Sequence, residues 1–163
     1  MIFTTIGNEH RNFQRMSDLV IFLANKLPKE EFIFQYGHSK IEKQIPNNLN
    51  IIKFISRNEF AIKIKNARFV ITHAGAGTLL QCFEKNIVPL VLPRRAELNE
   101  HLNNHQLDIL NQFAEKKLCL NIDKIEAVEV FKIINNAYPF IKKSSLPNQK
   151  LLKKLKKSIY EVI

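Results

Sequence analysis

Short apolar runs alternate with longer amphipathic stretches along the chain. The runs are rich in Ile, Val and Phe, which is typical of strands covered on both faces. We predict strands at residues 2–6, 32–36, 51–55, 69–72, 89–92 and 118–121. We predict helices at about 12–27, 58–66, 77–86, 99–116 and 124–136. This alternation favours parallel strands joined by right-handed crossovers, and therefore a doubly wound, mainly parallel, Rossmann-like α/β sheet.

The first helical stretch carries the clearest amphipathic pattern. Its apolar residues recur at spacings of three and four, which places them on one buried face: Phe13, Met16, Leu19, Val20, Leu23 and Leu27. With 163 residues, the chain is long enough for one well-buried domain and short for two. Its two cysteines, Cys82 and Cys119, lie in apolar surroundings, so we expect two reduced, buried thiols.

The positive charge is concentrated at the C-terminus. Residues 142–163 hold seven lysines against one glutamate, whereas the preceding residues carry about +4 of the net +10. We therefore predict a domain at residues 1–141 followed by a basic amphipathic helix at 142–163, with one apolar side formed by Leu151, Leu152, Leu155, Ile159 and Val162. This helix could pack on its own domain, dock a partner chain or an anionic membrane, or do both.

Glycine-containing loops follow the first and fourth predicted strands. In doubly wound sheets, ligands bind at the carboxyl ends of the strands, where Gly7 follows the first strand. Gly75 and Gly77 follow the fourth, and a helix beginning near Gly77 would direct its free N–H groups and positive dipole end at an anion. Residues 73–78 therefore indicate a diphosphate site, although a tight strand-to-helix turn would explain this motif equally well on its own.

A second polar cluster follows the next predicted strand. After Pro93 it concentrates two arginines, two acids, two histidines, three asparagines and a glutamine. Such side chains supply the paired donors and acceptors that sugar hydroxyls require. His101 and His105 are four residues apart on the predicted helix, but no third ligand accompanies them, so we predict no metal site. Asn99 is a reasonable N-cap for that helix.

Three ordered motifs resemble the C-terminal domain of family-28 glycosyltransferases. Residues 2–7 look like the family's first strand and glycine turn, and residues 71–78 look like its Ser-His-Ala-Gly-x-Gly-Thr signature. Residues 92–106 look like its Val-Pro-Arg and Gly-Glu-His-x-x-x-His-Gln signature. The likeness covers nearly the whole chain. It is nearest to small subunits of two-component enzymes, such as the catalytic subunit of the dolichol-linked GlcNAc transferase and bacterial capsule and exopolysaccharide counterparts.

The resemblance implies roles for individual residues. A turn formed by Gly75, Ala76, Gly77 and Thr78 would bind the donor diphosphate, and the uracil would lie against backbone near Ile55. Gly7 and Asn8 would border the cleft near the reacting sugar. Sugar hydroxyls would be contacted by Glu100 and His101, supported by Asn104 and Gln106. The general base is unassigned: His73 and His101 are candidates, and the partner is a further possible source.

Two positions depart from the family pattern. Asn8 stands where the family usually has threonine, so the geometry of that polar contact is expected to differ. Gln81 stands where the family usually offers a carboxylate to the ribose. Glutamine can still bond a ribose hydroxyl, but without charge assistance the contact is weaker.

The function implied by the resemblance is that of a donor-binding catalytic subunit of a GT-B glycosyltransferase. It would transfer a hexose or N-acetylhexosamine from a UDP-sugar to a polyprenyl-linked acceptor in surface polysaccharide synthesis, with inversion and without an obligatory metal. A membrane-associated subunit would hold the acceptor and recruit this otherwise cytoplasmic chain to the inner membrane face. A non-catalytic nucleotide-sugar-binding regulator is the alternative. RNA binding through the basic tail is a weaker rival, because the body lacks a basic, aromatic-rich stripe, and we predict no nucleic-acid partner.

Overall fold

The computed structural model describes residues 1–136 as one sheet flanked by helices. The strands are β1 (Ile2–Thr5), β2 (Phe32–Gln35), β3 (Leu49–Ile52), β4 (Phe69–Thr72), β5 (Leu90–Val91) and β6 (Leu120–Asn121). Every pairing is parallel, in the order β3-β2-β1-β4-β5-β6. This confirms the predicted doubly wound α/β fold. The predicted helix at 142–163 and the boundary at 141 lie outside the described residues.

Helices cover both faces of this sheet. They are α1 (Gln14–Lys26), α2 (Arg57–Asn66), α3 (Ala76–Glu84), α4 (His105–Glu115) and α5 (Ala127–Asn136). On one face, α1 packs with α5 over strand residues such as Phe34 and Ile71; on the other, α2 and α3 pack over residues such as Phe3 and Val70. Neighbouring residues of one strand thus enter different cores, which is why the strands are apolar throughout.

Local sequence explains the ends of several elements. Ser56 caps α2: its Oγ accepts from the backbone N–H of Glu59, whose carboxylate accepts from the backbone N–H of Ser56. The predicted stripe on α1 is confirmed, since Met16, Val20 and Leu23 are fully buried.

The prediction of a helix over residues 99–116 is wrong at its start. Residues 96–98 form a single 3-10 turn, and α4 begins only at His105. Asn99 is not the N-cap of that helix but ends the turn in a left-handed conformation with φ of 56°. The polar residues predicted to begin the helix do not do so, and the side chain of Glu100 is instead directed inward, where it accepts hydrogen bonds from Arg15. His101 and His105 therefore do not share a helix face.

Smaller differences concern the third strand and the cysteines. The strand predicted at 51–55 begins two residues earlier and ends at Ile52, so residues 53–55 belong to the loop. Both cysteines are unbridged and buried, as expected. Within residues 1–136, no helix has the length and apolar character needed to cross a membrane.

Candidate functional site

A cleft of about 350 Å³ opens at the carboxyl edge of the sheet, beside β1 and β4. These two strands neighbour each other, yet the chain leaves them in opposite directions across the sheet, so a crevice forms between their loops. The cleft is lined by two loops, the end of β2 and two helices: Gly7, Asn8, Gln35, Phe54, Ile55, Arg57, Phe60, Gly77, Thr78 and Gln81. Six of the predicted site residues therefore meet here.

The N-terminus of α3 forms one wall of this cleft. Gly75 is its N-cap and offers no side-chain hydrogen bond, so the N–H groups of Ala76 and Gly77 remain open to an external acceptor, whereas that of Thr78 donates to the carbonyl of Gly75 (3.1 Å). A Cβ placed on Gly77 would meet no atom within 4 Å, which shows that the space in front of this turn is free. Open N–H groups and the positive end of the helix dipole suit an anion.

His73 lies behind the cleft, held between two glycines. A Cβ on Gly7 would come within 2.7 Å of its ring, and a Cβ on Gly75 would lie 2.1 Å from Nε2. Gly7 also has a φ of 70°, a conformation that other residues rarely adopt. These two glycines are thus required where they stand partly to admit an imidazole, in addition to any ligand.

The environment of His73 makes it a poor general base. Burial lowers the pKa of His73 to about 3, and the positive charge of Arg94 acts in the same direction, against a hydrogen bond with the backbone of Thr5. An imidazole with so low a pKa holds protons too weakly to activate an acceptor hydroxyl near neutral pH. The buried ring therefore serves packing better than proton transfer.

We predict that His73 makes the protein sensitive to mild acid. The unfolded chain takes up this proton near pH 6.5 and the native state only near pH 3, so acidification favours unfolding. The contribution of His73 should fall by about 1.4 kcal/mol per pH unit below pH 6.5. Urea denaturation between pH 7 and pH 5 measures this slope. His73→Asn should flatten it, and an unchanged slope in that variant would contradict the assignment; exposed His105→Asn is the control.

The second motif does not line the cleft. The Glu100 side chain is 6% exposed, and its two oxygens accept hydrogen bonds from Arg15 Nε (2.9 Å) and Nη2 (2.7 Å). One of them also accepts from the backbone N–H of Arg95 (3.0 Å). With its carboxylate engaged in this way, Glu100 holds the loop of residues 94–104 against α1.

Asp123 joins this ion pair into a network of four side chains. Its carboxylate accepts from Arg15 Nη1 (3.1 Å) and from both Nε and Nη2 of Arg95. Burial by itself would raise the pKa of Asp123, but the hydrogen bonds from Arg95 and Arg15 outweigh it and hold that pKa below its ordinary value. We call Arg15, Arg95, Glu100 and Asp123 the loop-anchoring network.

Arg94 ties the same loop to β1. It is fully buried, and its guanidinium donates to the carbonyls of Ile6 (3.2 Å), Arg11 (3.0 Å) and Glu100 (3.1 Å). It also lies 4.6 Å from the centre of the Phe13 ring. Because each acceptor is a backbone carbonyl, Arg94 fixes the paths of two loops and is not available to a ligand.

The remaining residues of the second motif divide between structure and surface. Gln106 is buried and accepts from the backbone N–H of Arg94 (3.0 Å), while exposed Asn104 accepts from that of Ala96 (2.9 Å). His101 is partly exposed, and its Nε2 lies 3.9 Å from the carboxylate of Glu9 in the loop after β1. His101 thus combines an accessible imidazole with a nearby carboxylate, and so does exposed His105, whose Nδ1 lies 3.9 Å from the carboxylate of Asp108.

Sequence reasoning assigned no role to Gln35, Arg57 and Phe60 of the cleft, or to Arg15 and Asp123 of the loop-anchoring network. Gln35 ends an otherwise apolar strand, a placement that signals a buried polar role. Arg57 and Phe60 lie on α2. The capping motif of this helix is recognisable in the sequence, but the sequence does not indicate which side of the helix faces the cleft. Arg15 and Asp123 are 108 residues apart, so no local pattern connects them.

Residues 1–136 thus define a doubly wound α/β protein with an anion-compatible cleft at the switch point of its sheet. In this part of the chain, no group of three or more His, Cys, Asp or Glu side chains is arranged to hold a metal ion. The chain belongs to the glycosyltransferase family 28 C-terminal domain family, which it matches over residues 7–162.

Known relatives are similar over part of their length. The chain is 30% identical over 74 residues to the UDP-N-acetylglucosamine transferase subunit ALG13 of Candida albicans, which is 45% of this chain and 24% of that protein. Its fold is similar to MurG of Acinetobacter baumannii (TM-score 0.61, 15% identity, 95% of this chain and 49% of that one). It is also similar to UGT89C1 of Arabidopsis thaliana, solved in complex with UDP-L-rhamnose (TM-score 0.59, 14% identity, 99% and 38%). The chain spans about a quarter of the first relative and less than half of the other two.

Proposed function

We propose that this chain is the donor-binding catalytic subunit of a UDP-sugar glycosyltransferase. The observation that carries the proposal is the cleft at the switch point, where the open N-terminus of α3 faces free space. Of the ten residues lining this cleft, only Arg57 is charged. A positive helix end and one arginine, with no lining carboxylate, suit a dianionic diphosphate and do not require a metal to offset acidic side chains.

The donor would lie across this cleft in a defined order. Its diphosphate would accept hydrogen bonds from the first turn of α3, namely from the backbone N–H groups of Ala76 and Gly77 and from the hydroxyl of Thr78. Its uracil would rest near Ile55, and the ribose would reach Gln81, which lines the same cleft. Gly7 and Asn8, on the loop after β1, would then border the sugar. Departure of UDP would be stabilised by N–H groups already aimed at the leaving oxygen.

His101 is our candidate for the general base. Unlike His73, it is partly exposed. In the tautomer whose Nδ1–H donates to the carbonyl of Asn103 (3.1 Å), Nε2 is left to accept a proton, and the carboxylate of Glu9 lies 3.9 Å from it. A base must reach the acceptor hydroxyl, which attacks from the side opposite the leaving group if the reaction inverts the anomeric carbon. Glu100 would contribute indirectly, by holding the loop that carries His101 through its bonds to Arg15.

The proposal also includes a partner subunit that supplies the acceptor. The relative from Candida albicans is described as a transferase subunit, and this chain spans a quarter of it. We infer that a second, membrane-associated subunit supplies a polyprenyl-linked acceptor for surface polysaccharide synthesis and recruits the chain from the cytoplasm to the inner membrane face. The apolar residues and lysines in the sequence of residues 148–163 would dock that subunit.

The test is a panel of UDP-sugars, with UDP, UMP and ADP as references. A ligand of the native state raises the melting temperature, so UDP-galactose, UDP-glucose or UDP-N-acetylglucosamine should stabilise the protein more than UMP does. No shift with any uridine diphosphate would refute the proposal. Binding of a UDP-sugar without its turnover, when membranes of the source organism are added, would favour the non-catalytic regulator. A chain ending at residue 147 should keep the UDP shift but lose capture by those membranes.

A further inference from the structure

Three aromatic rings form an exposed cluster beside the cleft, which we call the aromatic stack. The ring centres of His10 and His38 are 4.4 Å apart with their planes tilted by 43°, and those of His38 and Phe54 are 5.1 Å apart with their planes at 64°, an edge-to-face contact. The two imidazoles are exposed, and Phe54 keeps 45% of its surface in solvent. Each ring comes from a different loop, after β1, β2 and β3 respectively, so the stack crosses the carboxyl edge of half the sheet.

Two buried contacts hold these three loops together. Gln35 donates from Nε2 to the carbonyls of Gly7 (3.2 Å) and Lys53 (3.1 Å), which joins the loops after β1 and β3. Gly37 approaches so closely that a Cβ there would lie 2.8 Å from the carbonyl oxygen of Gly7, and its own N–H donates to Lys53 (3.0 Å). The stack is thus placed by a fixed backbone arrangement, which reduces the entropy lost when a ligand binds.

The surroundings of the stack indicate what it binds. Phe54 lines the cleft, and His10 follows Asn8, which also lines it, by two residues. An exposed aromatic surface offers an apolar contact, while imidazole nitrogens offer hydrogen bonds at its edges. A pyranose ring has the matching character, with an apolar C–H face and a rim of hydroxyl groups.

We propose that His10, His38 and Phe54 form a stacking platform for a sugar ring of the acceptor glycan. This inference rests on the proposed function, in which the donor occupies the neighbouring cleft and the acceptor must approach it from the same edge. A purely apolar polyprenyl chain fits the platform less well, because two of its three rings are polar. A second nucleobase is the remaining alternative, and the experiment distinguishes it from a sugar.

The experiment follows the histidine ring signals of the full chain by NMR. The chain has five histidines, so the Cε1–H signals of His10 and His38 can be assigned from His10→Ala and His38→Ala. UDP is added to saturation first, and methyl 2-acetamido-2-deoxy-β-glucopyranoside is then titrated. We expect the signals of His10 and His38 to shift while those of buried His73 do not. Sorbitol, which has hydroxyls but no ring face, should leave both unchanged.

Two variants test whether the ring itself is needed. His38→Ala should abolish the sugar-induced shift of His10, whereas His38→Phe, which keeps a ring, should preserve it. Ile62→Ala, at an exposed apolar position on α2, should leave it unchanged. No shift at any sugar concentration, equal shifts in His38→Ala, or shifts with uridine in place of the sugar would overturn the platform. Loss of the UDP thermal shift in the wild type would instead count against the proposed function.

Discussion

Replacing Gly75 with alanine should lower the free energy of unfolding by about 3 kcal/mol, the upper part of the usual range for overpacking a core. The added Cβ would lie 2.1 Å from Nε2 of His73, a separation that no van der Waals contact allows. His73 cannot move aside, because its ring also packs against Gly7. Backbone strain does not enter, since Gly75 has a φ of −71° and a ψ of 121°, which alanine adopts freely.

Gly77→Ala is the matched control, two residues along the chain. Its Cβ would meet nothing within 4 Å, and alanine is favoured over glycine in a helix by up to about 1 kcal/mol. This variant should be as stable as the wild type or more so. Because Gly77 lines the cleft, however, the same methyl group should occupy space intended for the donor and weaken UDP binding.

Urea denaturation and the UDP-induced thermal shift separate these two outcomes. Gly75→Ala should lose stability, and adding His73→Ala should restore part of it, because the smaller side chain removes the clash. Wild-type stability in Gly75→Ala would show that His73 is not packed as described. Undiminished UDP binding by Gly77→Ala would contradict the assignment of the cleft as the nucleotide site.

The glycines also show how far the sequence determined the fold and the site. The alternation of apolar runs and amphipathic stretches predicted the six strands and five α-helices among the described residues, though not the start of α4 or the 3-10 turn before it, because strand burial and helix periodicity are local properties. It also placed Gly7 and Gly75 in loops at the carboxyl ends of predicted strands. Their contact with His73 was not predictable, since it depends on how closely the loops after β1 and β4 approach.

For the second motif, after Pro93, the composition did not predict the hydrogen bonds that its side chains make. Its polar composition was interpreted as a sugar-binding surface, whereas Glu100 and Gln106 bond to protein groups. Side chains suited to sugar hydroxyls are equally suited to arginines and backbone N–H groups, and composition cannot distinguish the two. The partner of Glu100 lies 85 residues away in the sequence, which places it beyond any local pattern. The left-handed Asn99 follows from the same long-range pairing.

Arg15→Met should therefore disrupt the loop-anchoring network and lower the free energy of unfolding by about 3 kcal/mol. Methionine keeps much of the side-chain volume but leaves Glu100 and Asp123, 6% and 3% exposed, without one of their cations. Uncompensated charges in such surroundings cost far more than a surface pair. Lys43→Met is the control, because the Lys43–Asp18 pair is largely exposed and should contribute less than about 1 kcal/mol.

The acid dependence of stability provides a second measurement on the same network. Because the pKa of Asp123 is held low in the native state, its contribution is fully present above the ordinary aspartate pKa and is lost as the pH falls through the native value. Stability should thus decline further below about pH 4. Arg15→Met should weaken this decline, because one of the two arginines that depress the pKa is gone.

Variants of the loop-anchoring network also distinguish a role in positioning the loop that carries His101 from a role in binding UDP. Neither Arg15 nor Glu100 lines the cleft, so Arg15→Met should leave the UDP thermal shift close to that of the wild type. The loop that carries His101 would lose its anchor, and the turnover rate should fall more than UDP affinity does. Arg15→Lys, which keeps the charge but not the two-pronged contact, should be intermediate. If Arg15→Met lost UDP binding and kept its stability, Glu100 would belong to the donor site after all.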